Sequence, residues 1–405
     1  MASIKGPKSA LSDFIEEHGI KINYLDKRNS EDVMPTIDRK RKLVKKTNKK
    51  IKPFEFSSKD LHNVSLQNIL ISRILKNINS FTLNDSHLEM ISSYLSKHRM
   101  FNVFYFNSLV NLCKNKLIIY DCSNIKDEEF IISNHNLTCL ELYQCGQLTN
   151  STLNDILKQQ NNLKELRITG GYLITEILLP SKLYILDLSN CNRLSNSIIV
   201  EINKKYKKLD ELKLSYCYKI TDDVKLKTSV KRLFVEETRI SENFYLKKEI
   251  QSLSFKNCCL INSLDKNYNN LEYLNLANIT TINNIKIGNK LKSLDISKCY
   301  SLKKWFFENI YKLINLEYLN ISYLDFDSYD FLHKLNSIKE LDISWCSNIT
   351  DEIVISLMEK TKIEKIYVFG CFNLTDITAK FSYKYKDTVT IVGNHAETRY
   401  LIQNS

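Results

Sequence analysis

From Leu137 onward, apolar residues recur in the order L-x-x-L-x-L-x-x-C-x-x-[LI]. Leu137, Leu140, Leu142, Cys145 and Leu148 make one copy; Leu183, Leu186, Leu188, Cys191 and Leu194 make another. Further copies place Cys217, Cys299, Cys346 and Cys371 at the same point. Weaker ones start at Leu163, Val230, Ile250, Leu271 and Leu316, and a partial first copy holds Leu117, Ile119, Cys122 and Ile125. The result is twelve units, 20–26 residues apart, with both outer positions of the central L-x-L apolar in every one. In a chain that is 43% hydrophobic, those 24 hits have a chance probability on the order of 10⁻⁹. Self-similarity at this period marks a leucine-rich-repeat solenoid, here of the Cys-containing subtype.

The spacing predicts the architecture. Alternation in x-L-x-L-x is a short strand with its leucines on one side. Stacking such strands gives an α/β solenoid of about twelve repeats, with a curved parallel sheet inside and helices outside. Asn150–Gln159 and Asp351–Lys360 carry apolar residues at helical spacing and are expected on the convex face. Thr-Asp and Ser/Thr-Asn pairs ahead of such segments suit helix N-caps. Cys122, Cys145, Cys191, Cys217, Cys258, Cys299, Cys346 and Cys371 fall just past the strands. A thiol is small, mostly apolar and a weak donor, which suits a buried structural ladder.

Ser57 to Asn111 leaves the repeat pattern. Leu66, Ile69, Leu70, Ile74 and Ile78 lie at helical spacing, as do Leu88, Ile91 and Leu95. Residues 57–113 are therefore expected to form a small helical cap on the solenoid, which occupies 114–405. Upstream, Leu11, Phe14 and Ile15 share one face of a short amphipathic helix over 9–18, capped by Ser9 and ended by Gly19. A helix this short is marginal alone and suits a partner-binding role.

Charge sharpens this division. Residues 1–56 hold 14 Lys/Arg against 8 Asp/Glu, an excess of 6 within a total net charge of +12. Arg39, Lys40, Arg41, Lys42, Lys45, Lys46, Lys49, Lys50 and Lys52 form a run with no acid. Such a run repels itself, so 1–56 is expected to be a disordered basic tail serving nuclear import, nucleic-acid contact or linkage. On the solenoid, residues flanking the strand leucines count nine acids against six bases, no phosphate cradle. Tyr143, Phe234, Tyr273, Tyr318, Trp345 and Tyr367 are candidate partner anchors on this concave face.

Composition narrows the chemistry. The chain of 405 residues has 8 Gly, 11 Cys and 7 His, with neither a G-x-G-x-x-G nor a P-loop motif. No C-x₂-C pair or His pair at ligand spacing occurs, so no metal or cofactor is expected. No nucleophile–base or paired-carboxylate arrangement stands out, so a non-enzymatic role is expected, without a small-molecule substrate. The absence of a long apolar run speaks against a membrane helix, and free cysteines without an export signal point to a reducing compartment.

Two resemblances follow. Ser65, Leu66, Leu70 and Ile74 resemble the short helix by which cullin-ligase receptors hold Elongin C, with Leu70 standing where that motif carries Cys. The block from Gly6 to Leu11 with Phe14, Gly19 and Ile20 is similar to the start of the fungal nucleotide-excision-repair leucine-rich-repeat family known as "radiation-sensitive seven". The basic tail, Tyr120-Asp121-Cys122-Ser123, the Cys-type repeats and Gly393 to Arg399 follow in that family's order. The linker is short and no cysteine precedes Cys113, so the chain looks like a reduced member. This resemblance implies a nuclear, non-catalytic scaffold for recognising damaged double-stranded DNA, paired with a Swi/Snf-type ATPase carrying a RING finger. It also implies Elongin C and a cullin as partners. The repeats alone also fit an F-box-type substrate receptor, which would use a Skp-type adaptor instead.

Overall fold

The computed structural model describes residues 66–393, apart from Leu246, Lys248, Lys303 and residues 385–388. The basic run 39–52, the helix expected over 9–18, Ser65, and the end from Asn394 onward lie outside the described residues. Everything described belongs to one unit, Phe56–Ser405.

Its spine is a 13-stranded sheet. In order, the strands are β1 (Lys116–Ile119), β2 (Cys139–Tyr143), β3 (Glu165–Thr169), β4 (Ile185–Asp187), β5 (Lys208–Lys213), β6 (Ser229–Phe234) and β7 (Ser252–Ser254). A separate β8 (Ser263–Tyr268) precedes β9 (Tyr273–Asn275), and β10 (Asn284–Ile287) precedes β11 (Ser293–Asp295). The sheet ends with β12 (Tyr318–Asn320), β13 (Glu340–Asp342), β14 (Lys365–Tyr367) and β15 (Thr390–Val392). Neighbouring strands are parallel, and the register stacks Leu140, Leu166, Leu186, Leu212, Leu233 and Leu253 in one column. Leu274, Leu294, Leu319, Leu341, Ile366 and Ile391 continue it. All are buried. The side-chain period of two fixes this column, because a slip of one residue would turn every leucine to solvent. β15 adds a thirteenth unit that the repeat pattern does not announce.

The return segments are mixed. Helices α4 (Asn150–Lys158), α5 (Ser197–Lys205), α6 (Lys304–Asn309), α7 (Asp351–Lys360) and α8 (Asp376–Lys384) occupy some repeats. β8 and β10 pair with each other instead, burying Leu264, Tyr268 and Ile285 against the core. Helices outside are therefore the rule only for part of the array. The Thr-Asp pairs also do more than cap. Thr149 accepts from Thr152 N at the start of α4, but Thr350 makes no side-chain cap to α7. Asp351 reaches the next repeat, accepting from Thr375 N at 3.0 Å and Thr375 Oγ1 at 2.7 Å.

Two ladders run just past the strands. The residue two places beyond the second core position adopts a left-handed conformation in eleven repeats, from Gln144 (φ 60°) to Gly370 (φ 66°). There the chain turns inward, and amides such as Asn190 N and Tyr216 N donate to the next repeat. Only Gly and Asn enter this region readily, so Tyr216, Tyr323 and Trp345 hold it at a cost of about 1–2 kcal/mol each. The next residue is usually the ladder cysteine. Cys191, Cys217, Cys258, Cys299, Cys346 and Cys371 each donate to a carbonyl of the preceding repeat at 3.1–3.5 Å. Burial pushes the Cys191, Cys299 and Cys346 thiols up to about 12, which keeps them protonated and able to donate. All eight predicted ladder cysteines are buried and free; of the other three, Cys113 and Cys139 are buried and Cys259 is exposed.

Among the described residues, three α-helices precede the sheet: α1 (Leu66–Lys76), α2 (Asp85–Lys97) and α3 (Val103–Leu112). α2 covers the outer edge of β1. Asp85 accepts from the amides of Lys114, Asn115 and Lys116 at 2.9–3.0 Å, and Ser92 Oγ from Tyr120 N at 3.1 Å. These side chains satisfy an edge that would otherwise offer unpaired N–H groups.

Candidate functional site

The strand residues that do not enter the core lie on the sheet's open face, the concave face expected of a solenoid. At its N-terminal part, opposite charges neutralise one another. Arg167 on β3 contacts Glu141 on β2 at 3.2 Å and Glu211 on β5 at 2.9 Å. Glu211 also holds Arg232 at 2.9 Å and Lys213 at 3.5 Å. The Arg167 side chain is 17% exposed and both glutamates are 10% exposed. Burial alone would raise the Glu211 carboxyl, but hydrogen bonds from Arg167 and Arg232 outweigh it and hold the group below its ordinary value. The guanidinium is held above its ordinary value by the same contacts, against its own desolvation.

On β4 and further along the sheet, acids serve the backbone. Asp187, Asp295 and Asp342 accept from the amide two residues on, at Ser189, Ser297 and Ser344, with distances of 2.9–3.0 Å. Asn275 and Asn320 do the same for Ala277 and Ser322. These turns satisfy amides where the strands end. Of the nine acids and six bases counted along this face, Glu141, Glu165 and Glu211 pair with Arg167, Lys213 and Arg232.

The predicted aromatic anchors separate into different settings. Tyr143 is half-buried, stacks on Tyr120 at 5.5 Å and donates to Glu141 at 2.8 Å. Phe234 lies 6.4 Å from Tyr273 and carries Lys213 over its ring at 5.1 Å. Tyr318 and Tyr367 are half-buried on β12 and β14, with Lys365 over the Tyr367 ring at 4.7 Å. Trp345 is not on a strand. It occupies the left-handed turn beyond β13, is 43% exposed, and stacks on Tyr323 at 5.6 Å. A Cβ at Gly370 would sit 2.4 Å from the Trp345 ring, so glycine there makes room for the indole. Sequence reasoning missed the exposed Phe372, whose ring meets Trp345 at 6.1 Å, and the exposed Tyr300; their places beside Cys371 and Cys299 are the signal.

On α1, Ile71 and Leu75 are buried, Ile74 packs partly against them, and Leu70 is 57% exposed. Leu70 therefore faces away from the helical core it was expected to join through its spacing. Leu66 opens the helix. Among the described residues, one group of donors lies close enough to suggest a metal: Cys139, Glu141 and Glu165, within 4.8 Å of one another. Each is already engaged, Cys139 with Glu141 at 3.5 Å, Glu141 with Arg167, and Glu165 with Tyr184 at 3.0 Å. Burial, then the nearby carboxylates, drive the Cys139 thiol far up, so it stays protonated beside Glu141. No described helix is long and apolar enough to cross a membrane.

No protein-family model matches the chain. A curated relative, the DNA repair protein RAD7 of Saccharomyces cerevisiae, is 29% identical over 136 residues. That match spans 28% of this chain and 24% of the relative. Among solved structures, the yeast Rad7 and Elc1 complex is similar at 18% identity, covering 82% of this chain and 98% of that one, with a TM-score of 0.35. The functional domain of InlJ from Listeria monocytogenes, which includes a cysteine ladder, is similar at 14% identity, covering 66% and 71%, with a TM-score of 0.29. The repeat register and thiol ladder make the chain a cysteine-containing leucine-rich-repeat protein, similar over part of its length to a DNA repair protein.

Proposed function

We propose that this protein is a non-catalytic scaffold and recognition subunit of a nuclear DNA-damage-recognition complex in global-genome nucleotide excision repair. In this reading the solenoid holds a Swi/Snf-type ATPase with a RING finger, and α1 docks Elongin C, and through it a cullin. The observation that carries it is the exposed Leu70 on α1, next to the buried Ile71 and Leu75 that anchor the helix. A large apolar side chain turned to solvent on an anchored helix suits a partner groove. The similarity to a DNA repair protein over part of the chain supports a role in DNA repair.

Leu70→Asp tests the docking helix. Purified full-length protein should capture Elongin C, and the variant should lose at least about tenfold in affinity, the scale of one interface hot spot. Its unfolding midpoint should stay close to the parent's, because Leu70 is exposed. Capture of a Skp-type adaptor in place of Elongin C would replace this reading with the F-box-type receptor. Recovery of the ATPase from cells checks the larger assembly.

The basic run Arg39–Lys52 is assigned nuclear import and sequence-independent contact with damaged duplex DNA. Neutralising six or more phosphates should make affinity fall by about 10³-fold or more between 50 and 200 mM salt. Removing residues 1–56 should abolish this dependence; an unchanged salt slope would place the DNA contact elsewhere or in a partner.

A further inference from the structure

Between the loop after β11 and the loop after β12, the structure holds a pocket of about 480 Å³. That is within the about 300–1,000 Å³ usual for ligand sites. Its floor is aromatic and fixed. Phe307 from α6 meets Phe326 at 4.4 Å and Phe331 at 5.5 Å, and Phe326 meets Phe331 at 5.2 Å. At the mouth, Tyr300 is 60% exposed. The lining carries four carboxylates, Glu308, Asp325, Asp327 and Asp330, against one base, Lys334. Asp325 is occupied by the amide of Ser347 at 2.6 Å, and Lys334 lies over the Tyr311 ring at 6.0 Å. Glu308, Asp327 and Asp330 are exposed and have no ion-pair partner among the described residues.

The chemistry selects an occupant. An anion would be repelled. A single metal ion fits poorly, because these carboxylates do not form a close donor group. Several spaced negative charges over a preformed aromatic wall match several spaced cations on alkyl stems. Lys and Arg side chains can lay those stems on apolar surface while the charged ends reach carboxylates or the Tyr300 ring face. The acidic lining also contrasts with the chain's net charge of +12, which gives the site local complementarity for a basic partner.

We propose that this pocket binds a Lys/Arg-rich linear segment of a partner protein. Cationic ends meet Glu308, Asp327 and Asp330, and the stems run along Tyr300 and Phe326. The site stands independently of the Elongin C reading, since it lies in the later repeats and not on α1.

The test is fluorescence anisotropy with a fluorescein-labelled oligo-arginine peptide and purified full-length protein. Saturable binding is expected. The double substitution Asp327→Asn with Asp330→Asn should weaken it by about fivefold to tenfold, the scale of two partly screened charge pairs. A control double substitution of exposed acids elsewhere, Glu128→Gln with Glu176→Gln, should stay within about twofold, as expected for distant, screened charges. Tyr300→Ala should weaken binding and Tyr300→Phe restore it, because the ring face and not the hydroxyl is engaged. Equal weakening by both double variants, or no saturable binding by the parent, overturns the proposal.

Discussion

Leu212→Ala is expected to cost about 2–5 kcal/mol of folding stability, the range for truncating a buried leucine. Leu212 lies on β5, is fully buried, and stands in register between Leu186 on β4 and Leu233 on β6. Removing its side chain opens a cavity between two stacked repeats, and neither neighbour can close it without breaking its own register. Because each repeat contacts mainly its neighbours, the loss should appear first as local opening around β4–β6. Denaturant midpoints measure the total cost, and amide exchange locates it. Leu260→Ala provides the contrast. That leucine is exposed, and its loss should stay within about 0.5 kcal/mol. Equal effects at both sites would contradict the repeat register.

Arg167→Ala is expected to cost about 3–5 kcal/mol near neutral pH, as when one partner is removed from a largely buried ion pair. The variant leaves Glu141 and Glu211 close to the sheet with their main cation gone, although Arg232 and Lys213 still attend Glu211. The pH dependence has a defined sign. In the parent, the Glu211 carboxyl is held low, so its stabilisation is present above the unfolded-state value and is lost as pH falls through the folded-state value. In the variant, Glu211 loses the Arg167 hydrogen bond and its carboxyl is held down less strongly. The stability gap between parent and variant should therefore be widest near pH 7 and narrow towards pH 4. Denaturant titrations at the two pH values check this, and a gap that widened on acidification would refute the assigned pairing.

The strand leucines were legible because each unit contains its own evidence. Leu186 and Leu188, or Leu212 and Leu214, alternate at the period of a strand, and the cysteine three residues beyond marks its end. β15 was not legible. Its unit offers Ile391 followed by Gly393 at the second core position, too little to register as a repeat. The left-handed turns were hidden for another reason. Gly170, Asn190 and Gly370 advertise such a turn, but Tyr216, Lys298, Tyr323 and Trp345 do not, and they adopt it because the next repeat accepts their amides. Trp345 was accordingly grouped with the strand-face aromatics although it sits beyond them.

The charged face shows the same division. Counting flanking residues gave a mixed surface, yet Arg167 meets a glutamate 44 residues away, across an intervening strand. No local pattern encodes that pairing; it exists only once β3, β4 and β5 are stacked in register. On α1, helical spacing grouped Leu70 with Ile74, whereas packing against the cap buried Ile71 and Leu75 and left Leu70 in solvent.

The sequence by itself determined the repeat period, the buried column and the thiol ladder, because each follows from alternation within one short segment. The tertiary structure alone decided which charges cancel, which aromatic rings remain exposed and where carboxylates gather without partners. Those properties depend on side chains from different repeats being brought within a few ångströms, a consequence of register and packing rather than of any one segment.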